Sequence, residues 1–501
     1  MGSGLAPARL ARPIRDGERI HVVGAAGAGA SAAALLAHYR GAQVSGCDPG
    51  GASPYTPPLE AAGIHLDWKH DPSHVSRIPR PDRLAVTKAL TAVDPGNPEL
   101  AAARAASVPV EAWQQVIADA AVGKTLVGIA GTHGKSTTSG WVVHVLIEAG
   151  LDPSAFVGAL LPERMTGGLP STARWGSGAP FVVEADEYAG NFDAYRPDVA
   201  VLTSAEWDHP DVFVDRAAVV DSFVHWVARA AEASKQPILV ANVGDAGVVE
   251  VVERLRGWSG SVRTTILTAG GSGPAALASW LVGTVEGADA AGTTLRLEGE
   301  GLAAPVLARL QLPGRHNAAN ALGVAGTALT LGVSPDVVGE ALGSFSGVRR
   351  RLERKGEGSG VVVYDDYGHH PTAIRETLAA IRQREPGRRI WAAYEPLTYH
   401  RTAAMLDQFA EVLATADAVA IADIWASRDP DTTTTSAAEL ADATARRRPG
   451  MTAVAPGSVE QTAAWLAGRV RSGDAVLVMG GGKSYRIAEL LLESLRGRRG
   501  G

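Results

Sequence analysis

Short runs of aliphatic and β-branched residues recur along the chain, each ending at glycine or at acids and each followed by apolar residues at helical spacing. Ile20 to Val23 meets Gly24 and gives way to an Ala- and Leu-rich stretch; "LVGIA" ends in Gly131-Thr132-His133-Gly134-Lys135-Ser136-Thr137 and then turns amphipathic. Phe181 to Val183 and Val199 to Leu202 end in clusters of acids. Later, "GVVVYDDY", "RIWAAYEP", "AVAIADIW" and "AVLVMGGG" alternate with helical patterns such as "TAAMLDQFAEVLATA". This alternation predicts an α/β protein of doubly wound segments. A fresh strand-loop-helix unit starts near residue 119, and another near Phe345, after the helical stretch "NAANALGVAGTALTLGV" and a Ser-Pro. The expectation is a Rossmann-like domain at 1–118, a central P-loop ATPase-type domain at 119–345 and a second Rossmann-like domain at 346–501. A length of 501 residues fits, since one core stops growing well below it.

The first segment carries Gly27, Gly29 and Ala32 in the G-x-G-x-x-A form of the dinucleotide fingerprint, with Asp48 after a second apolar run. Glycines there let the backbone approach a pyrophosphate, and the helix that follows turns unsatisfied N–H groups toward it. Taken alone, this fingerprint also suits an NAD-dependent dehydrogenase or a glycine turn used for packing.

The middle segment is more specific. The loop departs from the standard P-loop because only Thr132 and His133 separate Gly131 from Gly134. Its parts keep their uses: backbone N–H groups form an anion nest, Lys135 offers a point charge to β- and γ-phosphates, and the Ser136 hydroxyl can ligate Mg²⁺. Glu184, Asp186 and Glu187 follow the strand "FVV", where a Walker-B acid would stand, and three acids so close call for a cation or a lysine. Glu206, Asp208, His209 and Asp211 follow the next strand, which makes His209 a candidate metal or phosphate ligand. These residues predict bound Mg-ATP and leave open whether hydrolysis, kinase transfer or ligation follows. No G-x-S-x-G elbow and no zinc motif supports a hydrolase.

A formal net charge of -6 gives no basic surface excess, so nucleic acid is not the expected partner and a small molecule is. Cys47 is the only cysteine, which excludes an intramolecular disulfide and suits a reducing compartment; it is also read as excluding a cysteine-ligated zinc or iron–sulfur site. Without a signal-peptide pattern or a run of about 18 apolar residues, the expectation is a soluble cytoplasmic protein with no membrane partner.

Taken in order, the loop at Gly131–Thr137, "EADEYAGNF", "EWDHPD", "LPGRHNAANA" and "DDYGHHPTAI" resemble the Mur ligase family, and the likeness runs from "GAAGAGAS" to "GDAVLVMGGG". The resemblance implies an enzyme of peptidoglycan precursor synthesis that joins L-alanine to the lactyl carboxylate of UDP-N-acetylmuramate through an acyl phosphate, using ATP and Mg²⁺. It implies that Gly24, Gly27, Gly29 and Ser31 line the UDP diphosphate loop, with Asp48 and Thr87 near the nucleotide. ATP would be held by Gly131, Thr132, His133, Gly134, Lys135, Ser136 and Thr137, by Asn317 and Asn320, and by Arg351 and Asp366 closing from the third domain. Lys135, Glu184, His209, Arg351 and Asp366 would carry the chemistry; Ser136, Glu184 and His209 would be the metal ligands, and His369 and Arg401 would meet the amino acid. The third domain would swing in to assemble the site, and the chain would be a monomer or weak homodimer.

The sequence departs from family patterns in places. "EPLTYHRT" has Leu397 where some relatives have a histidine, which leaves glycine or L-serine as alternatives to L-alanine. A recycling ligase that attaches a whole tripeptide is the nearest rival. Lys483 stands where relatives usually have an aspartate, and no lysine before Lys235 is placed to become the carbamoylated metal bridge some relatives use.

Overall fold

A computed structural model describes residues 4–268, 279–300, 302–427, 429 and 431–497. The strands form three sheets, one in each third of the chain. The first contains β1 (Arg19–Val23), β2 (Gln43–Cys47), β3 (His65–Asp67), β4 (Arg83–Val86) and β5 (Val110–Ala112). They run parallel in the order β3-β2-β1-β4-β5. The order reverses at β1 and β4, the place where open α/β sheets leave a crevice beyond the strand ends. Gly24 follows β1 and Thr87 follows β4, so both stand at that crevice.

The second sheet contains β6 (Thr125–Ala130), β7 (Ser154–Leu161), β8 (Ser171–Arg174), β9 (Pro180–Glu184), β10 (Val199–Leu202), β11 (Ile238–Asn242), β12 (Ser261–Thr268), β13 (Leu281–Asp289), β14 (Gly292–Gly299) and β15 (Val306–Leu310). Their order is β15-β14-β13-β12-β11-β10-β6-β9-β7-β8. The core of this sheet is parallel, and β6, flanked by β10 and β9, is buried from Leu126 to Ala130. Helices Lys135–Glu148 and Arg315–Thr330 pack on it, burying Trp141, Val142, Leu322 and Ala325 in one core. Both edges are antiparallel, at β7–β8 and along β13–β14–β15. The doubly wound reading did not include these pairs: "WLVGTVEGADAAGTTLRLEG" alternates at period two around Asp289 and Gly292, a hairpin signal rather than a strand-helix one.

The third sheet contains β16 (Glu353–Gly358), β17 (Val361–Asp366), β18 (Arg389–Glu395), β19 (Ala418–Ala422), β20 (Thr452–Gly457) and β21 (Asp474–Gly480), in the order β16-β17-β21-β18-β19-β20. Only the edge strand β16 is antiparallel. The stretch "TAAMLDQFAEVLATA" is not one helix: Tyr399–Ala404 and Leu406–Leu413 meet at Met405, whose φ of -119° breaks the spiral. No helix among the described residues is long and apolar enough to cross a membrane.

Candidate active site

β6 delivers the glycine loop onto the N-terminus of helix Lys135–Glu148. Both bracketing glycines are sterically required. Gly131 has φ +135°, and a Cβ there would lie 2.1 Å from Thr203 Oγ1; Gly134 has φ +80°, and its Cβ would lie 2.5 Å from Asn320 Oδ1. No side chain caps the helix, so its first amide groups remain free to meet an anion. Thr132 ties the loop to the end of β10: its hydroxyl donates to Glu206 O at 3.0 Å and accepts from Glu206 N at 2.9 Å.

Lys135 donates to Gly131 O at 2.7 Å and to Glu187 Oε2 at 2.8 Å, with Asp186 at 3.7 Å. Burial alone would lower its pKa, but the two carboxylates outweigh that and hold the ammonium above its ordinary range. A lysine stays charged here even without a ligand. At the next residue, the Ser136 hydroxyl donates to Glu184 Oε1 at 2.9 Å, while Glu184 Oε2 accepts Gly158 N at 2.7 Å. The hydroxyl and the carboxylate expected to share a cation are thus already paired.

Beyond β10 the chain turns sharply, and His209 sits at φ +56°. Arg401, 3% exposed, donates from Nη2 to His209 Nδ1 at 2.9 Å and forms an ion pair with Asp208 Oδ1 at 2.8 Å. Its Nε and Nη1 are buried without a hydrogen-bond partner. Burial works against ionisation of Asp208, but His209 and Arg401 keep it well below the usual carboxylate range. Asp186, Glu187 and His209 each offer a ligand atom within 4.8 Å of one another.

The third sheet closes over this loop. Arg351 Nη2 donates to Ser136 Oγ at 2.8 Å, and its guanidinium lies over the Tyr367 ring at 5.1 Å. Thr372 Oγ1 donates to Glu206 Oε2 at 2.8 Å, and Glu206 also meets His133 Nε2 at 3.2 Å. His133 thereby lowers Glu206 to about 2 against the effect of burial. Asp366 takes a supporting position, accepting Leu352 N and Gly368 N at 2.7 Å each. His369 is bound to Tyr367 O at 2.9 Å and held neutral by burial and by Arg401. Asn320 braces Gly134 and donates to Asn317 Oδ1 at 3.3 Å, and Asn317 Nδ2 donates to Pro313 O at 2.7 Å. Lys135, Ser136, Glu184, His209, Arg351 and Arg401 line one cavity of about 620 Å³, together with Thr137 and Leu397.

The first sheet presents a second glycine turn. Gly24 has φ +81°, and Gly24 N and Ala25 N both donate to Cys47 O. Ala26 N donates to Asp48 Oδ2 at 3.1 Å, so Asp48 shapes the loop, and Thr87 touches Gly24 from the side. Gly27 caps helix Ala28–Tyr39 with its backbone. Gly29 is needed for packing, because a Cβ would lie 2.2 Å from Trp113. Ser31 is 1% exposed, and its hydroxyl donates to Ala28 O at 3.0 Å, which places it behind the loop rather than on its surface.

A smaller cavity of about 160 Å³ joins this turn to the Glu184 carboxylate: Gly29 and Trp113 line one side, Glu184, Asn191 and Tyr195 the other. Lys88 was missed by sequence reasoning. Its ammonium donates to Ala189 O at 2.8 Å and Gly190 O at 2.7 Å, tying the first sheet to the acid-bearing loop of the second. Nothing in its local sequence marks it, since the partners are backbone carbonyls. His370, Thr372 and Glu206 were within quoted motifs but without roles.

A phosphate-type glycine loop with a charged lysine, paired acids and a closing third sheet has the make-up of an enzyme that activates its substrate with a nucleoside triphosphate. The chain matches three family models in series: the Mur ligase family catalytic domain over residues 19–125, the Mur ligase middle domain over 129–328, and the Mur ligase glutamate ligase domain over 350–482. A UDP-N-acetylmuramate--L-alanine ligase of Kineococcus radiotolerans is 38% identical over 483 residues, covering 96% of this chain and 97% of its own. Another so named, from Mycobacterium sp. strain JLS, is 36% identical over 485 residues and 96% of each chain. The crystal structure of UDP-N-acetylmuramate-alanine ligase from Thermotoga maritima superposes with a TM-score of 0.74 over 96% of this chain and 99% of that one, at 24% identity. The chain belongs to the Mur ligase family.

Proposed function

We propose that this chain is an ATP-dependent, ADP-forming ligase that joins L-alanine to the lactyl carboxylate of UDP-N-acetylmuramate in peptidoglycan precursor synthesis. The observation that carries the reading is the convergence in one cleft of the charged Lys135 loop, the Ser136–Glu184 pair and the half-satisfied Arg401. The names of relatives matched over nearly their whole length agree with it.

A free carboxylate does not acylate an amine, so it must first be activated. Its oxygen attacks the γ-phosphorus of ATP, the bond to the β-γ bridging oxygen breaks, and ADP leaves with those electrons. The alanine amine then attacks the acyl carbon and phosphate departs, leaving an amide. Lys135 counters the repulsion between the two anions and moves from Glu187 toward the transferring group. The first-turn amides receive phosphate oxygens at no conformational cost, because Gly131 and Gly134 already hold the loop open. Ser136 and Glu184 fit one Mg²⁺, and His209 with Asp186 and Glu187 fits a second; these ions supply charge neutralisation when bound. Asn317, Asn320, Arg351 and Asp366 would complete the ATP side of the cleft.

The carboxylate reaches this place through the smaller cavity. A UDP diphosphate over Gly24, Gly27 and Asp48 would leave the sugar pointing past Gly29 and Trp113 toward Glu184. Arg401 would take the carboxylate of L-alanine, with His369 beside it. There is a coupling in that exchange. While Arg401 donates to His209 Nδ1, a neutral ring carries its proton on Nε2 and cannot ligate a metal there. An amino-acid carboxylate that drew the guanidinium away would let the ring take the other tautomer, with Nε2 open as a ligand. Leu397 borders the same cavity and suits a small apolar side chain.

The test is ADP release measured with each substrate omitted in turn. The reading requires release that depends on both UDP-N-acetylmuramate and L-alanine; rapid ADP release from ATP alone would contradict it.

A further inference from the structure

Behind the glycine turn of the first sheet lies a cluster that the ligase reading does not use. Cys47 ends β2, His21 lies in β1, His74 is on the short helix Ser73–Ser76, and Glu99 is in the first turn of helix Pro98–Ala105. Four ligand atoms, one from each, lie within 4.8 Å of one another. Cys47 Sγ stands 3.1 Å from Glu99 Oε1 and 3.2 Å from Oε2; His74 Nδ1 is 2.5 Å from Glu99 Oε1; His21 Nε2 is 3.8 Å from Glu99 Oε2. Cys47 and Glu99 are fully buried and His21 is 2% exposed. His70 borders the group, its Nδ1 3.4 Å from the sulfur.

We infer that Cys47, His21, His74 and Glu99 form a tetrahedral binding site for a thiophilic divalent cation of the zinc class. The Cys47–Glu99 and His21–Glu99 separations bracket those that zinc imposes on its own ligands, since tetrahedral bonds of ~2.0–2.3 Å put neighbouring donors ~3.3–3.6 Å apart, and His74 Nδ1 and Glu99 Oε1 would part by ~1 Å to admit the ion. Each imidazole is oriented by a second partner on its far side. Asp67 Oδ2 sits 3.0 Å from His74 Nε2, the carboxylate–histidine arrangement that turns the other ring nitrogen toward a metal. Ser45 Oγ takes His21 Nδ1 at 2.8 Å, leaving His21 Nε2 aimed into the cluster, buried and with no hydrogen-bond partner. That orphaned nitrogen distinguishes the site from a self-satisfied polar network, which would have no reason to bury it. A thiolate with two imidazoles selects zinc-class ions over Mg²⁺.

Coordination forms four bonds to the ion, one from each residue, and the thiol proton and the proton between His74 Nδ1 and Glu99 pass to solvent. A lone cysteine excludes a multi-thiolate centre and leaves room for this mixed one. Because Gly24 N and Ala25 N donate to Cys47 O, the ion would clamp the loop proposed to hold the UDP diphosphate.

The test uses the full chain, dialysed against a chelator and titrated with Co²⁺ alone. The expected result is one saturable equivalent with a thiolate-to-cobalt charge-transfer band, displaced by Zn²⁺. As the chain has one cysteine, that band cannot arise at the ATP cleft. Cys47→Ser should remove the band, and Asp67→Asn, which touches no proposed ligand atom but His74's far nitrogen, should weaken Co²⁺ binding ~10- to 100-fold while folding is preserved by circular dichroism. Absence of the band in the folded wild-type chain, or a band and affinity unchanged by Asp67→Asn, would overturn the site. Loss of ligase activity alone would bear on the ligase reading and not on this one.

Discussion

The turn after β1 and the turn after β6 both carry a central strand into a helix whose first amides face a cleft, yet their electrostatic settings are opposite. The first has no cation: Ala26 N is met by Asp48, and Gly29 is shaped by Trp113. The second places Lys135 at the first helical residue, locked by Glu187 and Gly131 O, and passes a hydrogen-bond chain from Arg351 through Ser136 to Glu184. One backbone device therefore serves two ends. A shape-fitted turn without a cationic side chain of its own suits a diphosphate that is only held, whereas a turn loaded with opposed charges suits a phosphoryl group whose charge moves during reaction.

The largest break in that contrast is Lys135→Ala. Product formation should fall by at least ~10³-fold, the size of effect expected when a charge on the transition state is deleted, with UDP-sugar affinity nearly unchanged. Equal loss of both, measured by turnover and calorimetry, would mean the two turns do not divide the work. Next in size, Arg401→Ala should raise the apparent KM for amino acid ~10- to 100-fold, as loss of a charge-assisted hydrogen bond does, with a smaller fall in kcat. An unchanged KM would remove Arg401 from the acceptor site.

Gly29→Ala tests the shape-fitted turn. Overpacking against Trp113 should destabilise the fold by about 1–3 kcal/mol and weaken UDP-sugar binding while leaving ATP affinity alone. Trp113→Ala in the same chain should restore part of the stability, checked by denaturant unfolding. The smallest effect is a pH slope. Burial pushes His370 down to about 4, and His133 adds to it. Its unfolded value is ~6.5, so between those values the unfolded chain binds the extra proton. The stability His370 contributes is complete above that window and is lost as pH falls through it. His370→Gln should flatten the slope there, and an unaltered slope would mean the imidazole is not held neutral.

Much of the candidate cleft was legible because its chemistry is local in sequence. Gly131 to Ser136 is one loop, and Glu184 and His209 each follow a recognisable apolar strand end, so adjacency in the chain already implied adjacency in space. What was hidden depends on contacts between distant segments. Lys88 binds backbone carbonyls of Ala189 and Gly190, which carry no residue signature. His21, Cys47, His74 and Glu99 have no motif spacing, and only the parallel pairing of β1 with β2 and the fold-back of two short helices unite them. Ser31 was drawn into the loop by its neighbours, but a helix turns it inward onto Ala28 O. The hairpin edge of the second sheet is masked in sequence by the strand-helix alternation on both sides of it.

The central claim is tested most directly by mass spectrometry of the product after purified chain is incubated with ATP, Mg²⁺ and UDP-N-acetylmuramate, and separately with L-alanine, glycine, L-serine or the recycled tripeptide. The account predicts UDP-N-acetylmuramoyl-L-alanine, formed with one ADP per amide and preferred over the other acceptors. A product formed only from the tripeptide, or no amide from any acceptor in a folded chain that binds both nucleotides, would contradict it.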